Sequence, residues 1–250
     1  MMKTKPELSF VVLTWNRAPM LELCLASFFE NISGKHPYEL IILDNASTDS
    51  TGQILDRYEG HECVRIIHSK INYHLNGYKK LFAMATGRFI VELDDDVIRL
   101  PKDFDDTFIE YFKAFPDYGY VGLNVVQDEM TWGAKPGPEC YKDDVRGDKV
   151  MEEGPVGGWC TAFRRWHYKL FAPFLHFFNF TMARGEDGTL MGFLHVILRR
   201  RQGLIKNAVC LHATGIPYAK KYGLLERDIE KYMVGDQPDV AERYRKAKDS

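Results

Sequence analysis

Residues 88–97 read RFIVELDDDV. The first half is rich in β-branched and aromatic residues and reads as a buried strand. The second half places three carboxylates in a row where that strand ends. Successive side chains of a strand point to opposite faces. If the pleat persists, Asp94 and Asp96 share one direction and Asp95 points away. Two converging carboxylates repel unless a cation lies between them. Hard oxygen ligands suit Mg2+ or Mn2+, ions that bind through one or two carboxylates together with phosphate oxygens. The same residues would equally suit a solvated, Asp-rich turn, so the surrounding order of elements has to decide.

Outward from that stretch, apolar runs of strand length alternate with helical patterns. LSFVVLTW (8–15) precedes a helix with Leu21, Cys24, Leu25, Phe28 and Ile32 on one face and Pro19 near its first turn. YELIILD (38–44) leads into cap residues and a second helix. VRIIHS (64–69) is a third strand, GYKKLFAMATG (77–87) a third helix stopped by Gly87, and RFIVELD (88–94) the fourth strand. The order β-α-β-α-β-α-β implies an α/β fold with a Rossmann-like, mainly parallel sheet flanked by helices. Ligands of such sheets sit at the carboxyl ends of the strands. Three polar stretches fall there: Thr14 to Arg17, Asp44-Asn45 and Asp94 to Asp96.

Beyond residue 100 a helix is expected over 101–115, a strand over 119–126 and a long loop over 127–155. A strand leading to a short helix is expected over 157–166, a helix over 185–203, a strand over 204–213, and a charged, solvated helical tail over roughly 223–250. Glu186 and Asp187 open the 185–203 helix, and Arg199, Arg200 and Arg201 stand near its end, as the helix dipole favours. The chain divides on this reading into 1–100, 101–215 of the same domain, and a C-terminal helical tail over 216–250.

The bulk properties exclude several classes. Of the 250 residues 45% are hydrophobic and 27% charged, and the formal net charge is -2, which gives no global field for nucleic acid or an acidic membrane. No apolar run approaches the ~20 residues of a membrane-spanning helix. MMKTKPELSF lacks the apolar core of a signal peptide. The five cysteines form no C-x-x-C pair, so reduced thiols and a cytoplasmic location are expected.

Taken together, SFVVLTWNR, ELIILDNASTDST, ATGRFIVELDDDV, GEDGTLMGFLHVILRRRQG and CLHATG resemble, in order and spacing, the family 2 glycosyltransferases of the GT-A fold. The resemblance covers residues 8 to about 215. It implies a nucleotide-binding half over 1–100 and a smaller acceptor-side subregion over 101–215. Thr14, Asn16 and Arg17 would line the nucleotide pocket, and Asp44 would contact the base, usually uracil. Asp94 and Asp96, with Asp95 between them, would bind Mn2+ or Mg2+ and the sugar nucleotide. Asp187, with Glu186 beside it, would be the general base, and His212 a further metal or diphosphate contact. The reaction implied is inverting transfer of a sugar from a nucleotide donor, a UDP-sugar first, to a hydroxyl of a glycan, a lipid-linked sugar or a protein. One departure is visible: where relatives often carry Arg-Asn before the D-x-D strand, this chain has Tyr78 and Lys79, with Asn72 and Asn76 upstream.

Each of these residues has a structural reading beside the functional one. Glu186 and Asp187 also serve as helix-capping acids, and a lone histidine after an apolar strand is commonly a core residue. Trp159, in GGWC, is a packing residue or a face for donor and acceptor sugars. The aromatic stretch 163–182 is core, an acceptor wall, or an interfacial patch giving peripheral contact with the inner face of a membrane, in that order. Two other functions compete: a non-catalytic nucleotide-sugar-binding protein, and a nucleotidyltransferase, whose glycine-rich phosphate loop is missing from VVLTWNRAPM.

Overall fold

The computed structural model describes residues 5–131 and 135–249. Its elements in chain order begin with β1 (Leu8–Thr14), α1 (Ala18–Asn31), β2 (Tyr38–Asp44), α2 (Thr51–Asp56), β3 (Val64–His68), α3 (Gly77–Met84) and β4 (Phe89–Leu93). They continue with β5 (Val97–Arg99), α4 (Phe104–Ala114), β6 (Tyr118–Val125), β7 (Lys142–Arg146), β8 (Lys149–Glu153), β9 (Cys160–Arg164) and α5 (Arg165–Phe171). The last are α6 (Glu186–Val196), β10 (Arg201–His212), α7 (Ile216–Lys221), α8 (Leu225–Val234) and α9 (Pro238–Lys248).

One mixed sheet runs in the order β3-β2-β1-β4-β9-β6-β10-β8-β7 among the described residues, and β5 pairs with β10. The four strands expected from the first half are mutually parallel. β9 enters antiparallel between β4 and β6, and β6 then runs parallel to β10. β4 therefore has a neighbour on each side, and every residue of it is buried. The parallel register aligns Thr14 with Asp44, so the ends of β1, β2 and β4 open on the same edge of the sheet. The core packs both faces, with Phe10, Phe28 and Phe104 meeting edge to face under the sheet. Cys24, Cys160 and Cys210 are buried free thiols.

Three expectations for the second half are corrected. The stretch 127–155 is not loop throughout. β7 and β8 form a hairpin over 142–153 that turns at Gly147 in the left-handed region (φ +63°). Its charged composition hides it, because the strands lie at the sheet's edge and are stitched by ion pairs instead of apolar side chains. Arg146 meets Asp117 at 2.7 Å and Asp144 at 2.9 Å. The helix begun at Glu186 stops at Val196, well before the arginines. Arg201 starts β10 and pairs with Asp144, Asp117 and Glu153, so it ties the hairpin to the sheet and does not answer a helix dipole. The tail is helical but not simply solvated: Tyr218, Ala219, Leu224 and Tyr244 form a second apolar cluster with Met20 and Ala213. That cluster fixes α8 across the carboxyl edge of the sheet.

Candidate active site

A cleft of about 460 Å³ opens where β1, β4 and β10 end. Its floor is the aspartate run. Because the chain turns immediately after β4, Val97 N donates to Asp94 O at 3.1 Å, and the three carboxyls spread from a single point. Asp94 and Asp96 both face His212, the last residue of β10, with His212 Nε2 3.6 Å from Asp94 Oδ2 and 3.0 Å from Asp96 Oδ1. Ligand atoms of these three residues all lie within 4.8 Å of one another. Asp95 turns the other way, to Arg17, whose Nη1 lies 2.6 Å from Asp95 Oδ1 and 2.8 Å from Asp96 Oδ2.

The donor set fits a divalent cation. Two carboxylates and one imidazole converge, and the histidine's other nitrogen, Nδ1, is buried without a partner among the described residues. Burial pushes the Asp94 carboxyl up to about 6, and the neighbouring Asp96 adds to that while His212 opposes it. Burial would raise Asp96 as well, but Arg17 and His212 overcome it and hold that carboxyl well below the usual range. Burial alone would lower the His212 imidazole, and Asp96 reverses this and raises it. One carboxyl of the pair is thus kept ionised whether or not the other is.

Asp187 lines the same cleft at the start of α6. Gly158 N donates to its Oδ2 at 3.2 Å, and Gly188 N donates to its Oδ1. Desolvation outweighs these two donors and raises its carboxyl above the ordinary aspartate value. Gly158 has to be small: a Cβ there would stand 2.8 Å from Glu92 Oε1 and 3.4 Å from Asp187 Cβ. Glu186 turns inward. Burial, then the adjacent Asp187, pushes its carboxyl up to about 8. It faces Glu92 of β4, which burial and the same Glu186 raise far above the glutamate range. No other donor reaches the Glu92 oxygens among the described residues, and burial with mutual repulsion favours a proton held between the two carboxyls.

The other expected residues divide. Thr14, Arg17, Asp95 and Trp159 line the cleft. Trp159 is buried, donates Nε1 to Leu123 O at 2.9 Å and accepts from Asp94 N at 2.9 Å. Its ring lies 6.1 Å from that of His212, so it braces two of the converging ligands. Asn16 and Asp44 stand behind the lining. Asn16 Oδ1 accepts from Thr48 N at 2.7 Å, and Asp44 accepts from Ser47 N at 2.9 Å and lies 3.1 Å from His68 Nδ1. Both hold the loop after β2, and Asn45 beside them reaches the cleft.

Sequence reasoning missed several residues. Glu92 carried a signal, a charge inside the apolar run FIVEL. Tyr78, at the departure noted before the D-x-D strand, donates its hydroxyl to Asp94 Oδ1 at 3.1 Å. Arg227, Asp228 and Lys231 of α8 carried none, because their partners are remote in sequence, Arg227 reaching 212 residues back to Trp15. Asp228 Oδ1 lies 2.6 Å from Arg227 Nη1 and 3.6 Å from Arg17 Nη2, and Arg227 Nε donates to Trp15 O at 3.1 Å. Lys231 also lines the cleft. Its charge lowers both Asp94 and Asp96, and it pairs with no carboxylate among the described residues.

Comparison with known proteins places these features. The profile of "Glycosyl transferase family 2" matches residues 9–179. The chain is 26% identical over 165 residues to "Putative glycosyltransferase EpsE" of Bacillus subtilis (strain 168), covering 63% of this chain. It spans about half of that relative's length, 52%. Among solved structures it is similar to the mannosyltransferase PcManGT from Pyrobaculum calidifontis in complex with GDP-Man and Mn2+. That match has a TM-score of 0.57 and 18% identity over 98% of this chain and 74% of that one. It is also similar to S. aureus TarS 1-349 in complex with UDP-GlcNAc, with a TM-score of 0.60 and 13% identity over 95% and 70% of the two chains. At these identities the likeness establishes the fold, GT-A, and nothing finer. No helix among the described residues is long and apolar enough to cross a membrane.

Proposed function

The chain belongs to glycosyl transferase family 2, and from that premise we propose that it moves a sugar from a nucleoside-diphosphate sugar, a UDP-sugar first, to an acceptor hydroxyl with inversion at the anomeric carbon. The observation that carries the reading is the meeting of Asp94, Asp96 and His212 on the floor of the cleft that Asp187 lines.

A divalent ion, Mn2+ or Mg2+, held by Asp94, Asp96 and His212 would supply Lewis-acid stabilisation to the departing diphosphate. Trp159 and Tyr78 keep Asp94 in place for it, and Arg17 keeps Asp96 ionised. Lys231, which pairs with no carboxylate among the described residues, would meet the same developing negative charge from the α8 side. Asp187 takes the acceptor's proton. The acceptor oxygen forms its bond to the anomeric carbon as the bond to the diphosphate oxygen breaks, and the nucleoside diphosphate leaves. A single displacement with one base inverts the centre, unlike two-step hydrolysis with two carboxylates. The raised Asp187 carboxyl suits this task, since a base is most effective when its pKa approaches the working pH. Glu186, kept protonated against Glu92, does not compete for the proton.

The test is release of nucleoside diphosphate from UDP-sugars and GDP-sugars with Mn2+ and candidate acceptors. The reading expects release from one donor series that stops in Asp187→Asn. Near-normal turnover in that variant removes Asp187 as the base. Tight nucleotide binding with no turnover on any donor favours a non-catalytic protein.

A further inference from the structure

The aromatic stretch after β9 is only half core. His167, Tyr168, Phe171 and Leu175 are buried. Trp166, Leu170, Phe174 and Phe177, spaced by four, four and three residues, lie on the opposite side and are 48%, 48%, 51% and 75% exposed. Helical spacing puts them on one outward stripe running through α5 into the short helical turn Ala172–Phe177. A stripe of two large aliphatic or aromatic turns in water is uncommon on a monomer and marks a contact surface.

Charge says what the surface meets. Beside Trp166 lies a surface groove of about 450 Å³ lined by Lys5, Arg88, Arg165 and Lys169. Its one carboxylate, Glu7, is already engaged by Arg88 and His36. Arg165 and Lys169 pair with no carboxylate among the described residues. Between residues 163 and 200 the only acids are Glu186 and Asp187, and both line the catalytic cleft. The other charged side chains of that stretch are all cationic, in a chain whose formal net charge is -2. An aromatic stripe with a basic border fits an anionic bilayer surface, where apolar side chains enter the acyl boundary and Lys and Arg meet the headgroups.

We propose that the stripe Trp166-Leu170-Phe174-Phe177, with the groove of Arg88, Arg165 and Lys169, docks the protein on an anionic phospholipid membrane. The turn that carries Phe174 and Phe177 runs straight into Asn179–Met182, which form one wall of the catalytic cleft. The stripe therefore reaches the cleft wall at its Phe177 end, while the basic groove lies at the opposite edge, where β1 and β4 begin, and an acceptor carried by a membrane lipid would approach Asp187 along the stripe. That last consequence rests on the glycosyl-transfer reading. The docking does not.

The experiment is co-sedimentation of the full chain with phosphatidylcholine vesicles, with and without about a third of phosphatidylglycerol, at two salt concentrations. Expected is binding to the anionic vesicles only, weakened about tenfold or more in Arg165→Glu/Lys169→Glu and abolished in Trp166→Ser/Phe174→Ser/Phe177→Ser. Trp166, Lys169, Phe174 and Phe177 are exposed and Arg165 is half-buried, and thermal unfolding and nucleotide binding of both variants should match the wild type, which separates lost docking from lost fold. Failure to bind anionic vesicles, or equal binding by the triple variant, overturns the proposal. A dimer in sedimentation velocity that the triple variant dissolves also overturns it, in favour of a second copy on this face. A vesicle result of either sign leaves nucleotide binding unaffected, so this inference and the proposed activity fail separately.

Discussion

Glu92 and Asp96 stand four residues apart at the end of the same strand, and both are buried, yet their carboxyls are driven in opposite directions. Burial raises both. Asp96 then meets Arg17 and His212 and ends well below its ordinary value. Glu92 meets Glu186, Asp94 and Asp187 and ends far above it. Desolvation sets the size of the cost, while the partner sets its sign. One end of the cleft thus holds negative charge, as the proposed cation site requires, and the other favours the neutral form close beside Asp187, the proposed base.

The sharpest way to break this division is at Asp187, which sits between the two ends. Asp187→Asn keeps an acceptor oxygen for one of the two backbone donors, Gly158 N and Gly188 N, gives up the other bond, and removes the proton acceptor. Turnover should fall by roughly 10²–10⁴-fold, the usual span for a general base, with nucleotide affinity unchanged. In the wild type the rate should rise with pH along a limb displaced upward from the ordinary aspartate range, since the raised carboxyl must ionise to act. An unchanged rate in the variant, from stopped assays of diphosphate release, contradicts the assignment.

Arg17→Met tests the charged end. It leaves Asp95 and Asp96 buried without their guanidinium, and breaking a buried pair on one side costs about 3–5 kcal/mol. Asp96 has a depressed folded pKa, so the stability it contributes is present above the unfolded value and lost as pH falls through the folded one. The variant's deficit in denaturant melts should therefore shrink on acidification. A deficit that stays constant to low pH would detach Arg17 from these carboxylates.

His212→Ala should weaken Mn2+ affinity by at least the roughly 10–100-fold that loss of even an outer partner costs. The readout is metal titration in the presence of nucleotide. Unaltered affinity would leave only the two aspartates in the ligand set.

Glu186→Gln, the smallest change, tests the neutral end. Glu186 has a folded pKa raised to about 8, so the native state binds the extra proton. Wild-type stability should fall as pH rises from the unfolded glutamate value of about 4.3 towards 8. The amide cannot ionise, and in chelator the variant's melting temperature should vary less over that window. An identical pH profile would mean that the pair is not protonated.

Much of the charged end was legible. Strand periodicity put Asp94 to Asp96 at a carboxyl edge; the pleat ends at Leu93, and it is the turn after β4, not strand alternation, that sets Asp94 and Asp96 toward His212 and Asp95 toward Arg17. His212 is joined to them by register: β10 ends beside the turn after β4. The neutral end was less legible. A single glutamate in FIVEL looks like a strand edge until β9 is known to cover it from the other side. The α8 residues were not legible at all, because a helix of alternating charge reads as solvated, and only the packing of Tyr218, Leu224 and Tyr244 on Met20 brings Arg227 and Lys231 to the cleft. The hairpin β7–β8 was hidden for a related reason: its strands are held by arginines paired with aspartates and glutamates, and carry little apolar alternation. Asn16 and Asp44, which the resemblance assigns to the nucleotide pocket, hold the loop after β2 in the free protein, a role that strand-end position alone does not reveal.

The most direct test of the central claim is calorimetry of UDP binding, with and without Mn2+, on the wild type and on Asp94→Ala/Asp96→Ala, repeated with GDP. The account predicts Mn2+-dependent binding of one of these nucleotides to the wild type and none to the double variant. Binding that is indifferent to Mn2+, or that survives loss of both aspartates, would contradict it.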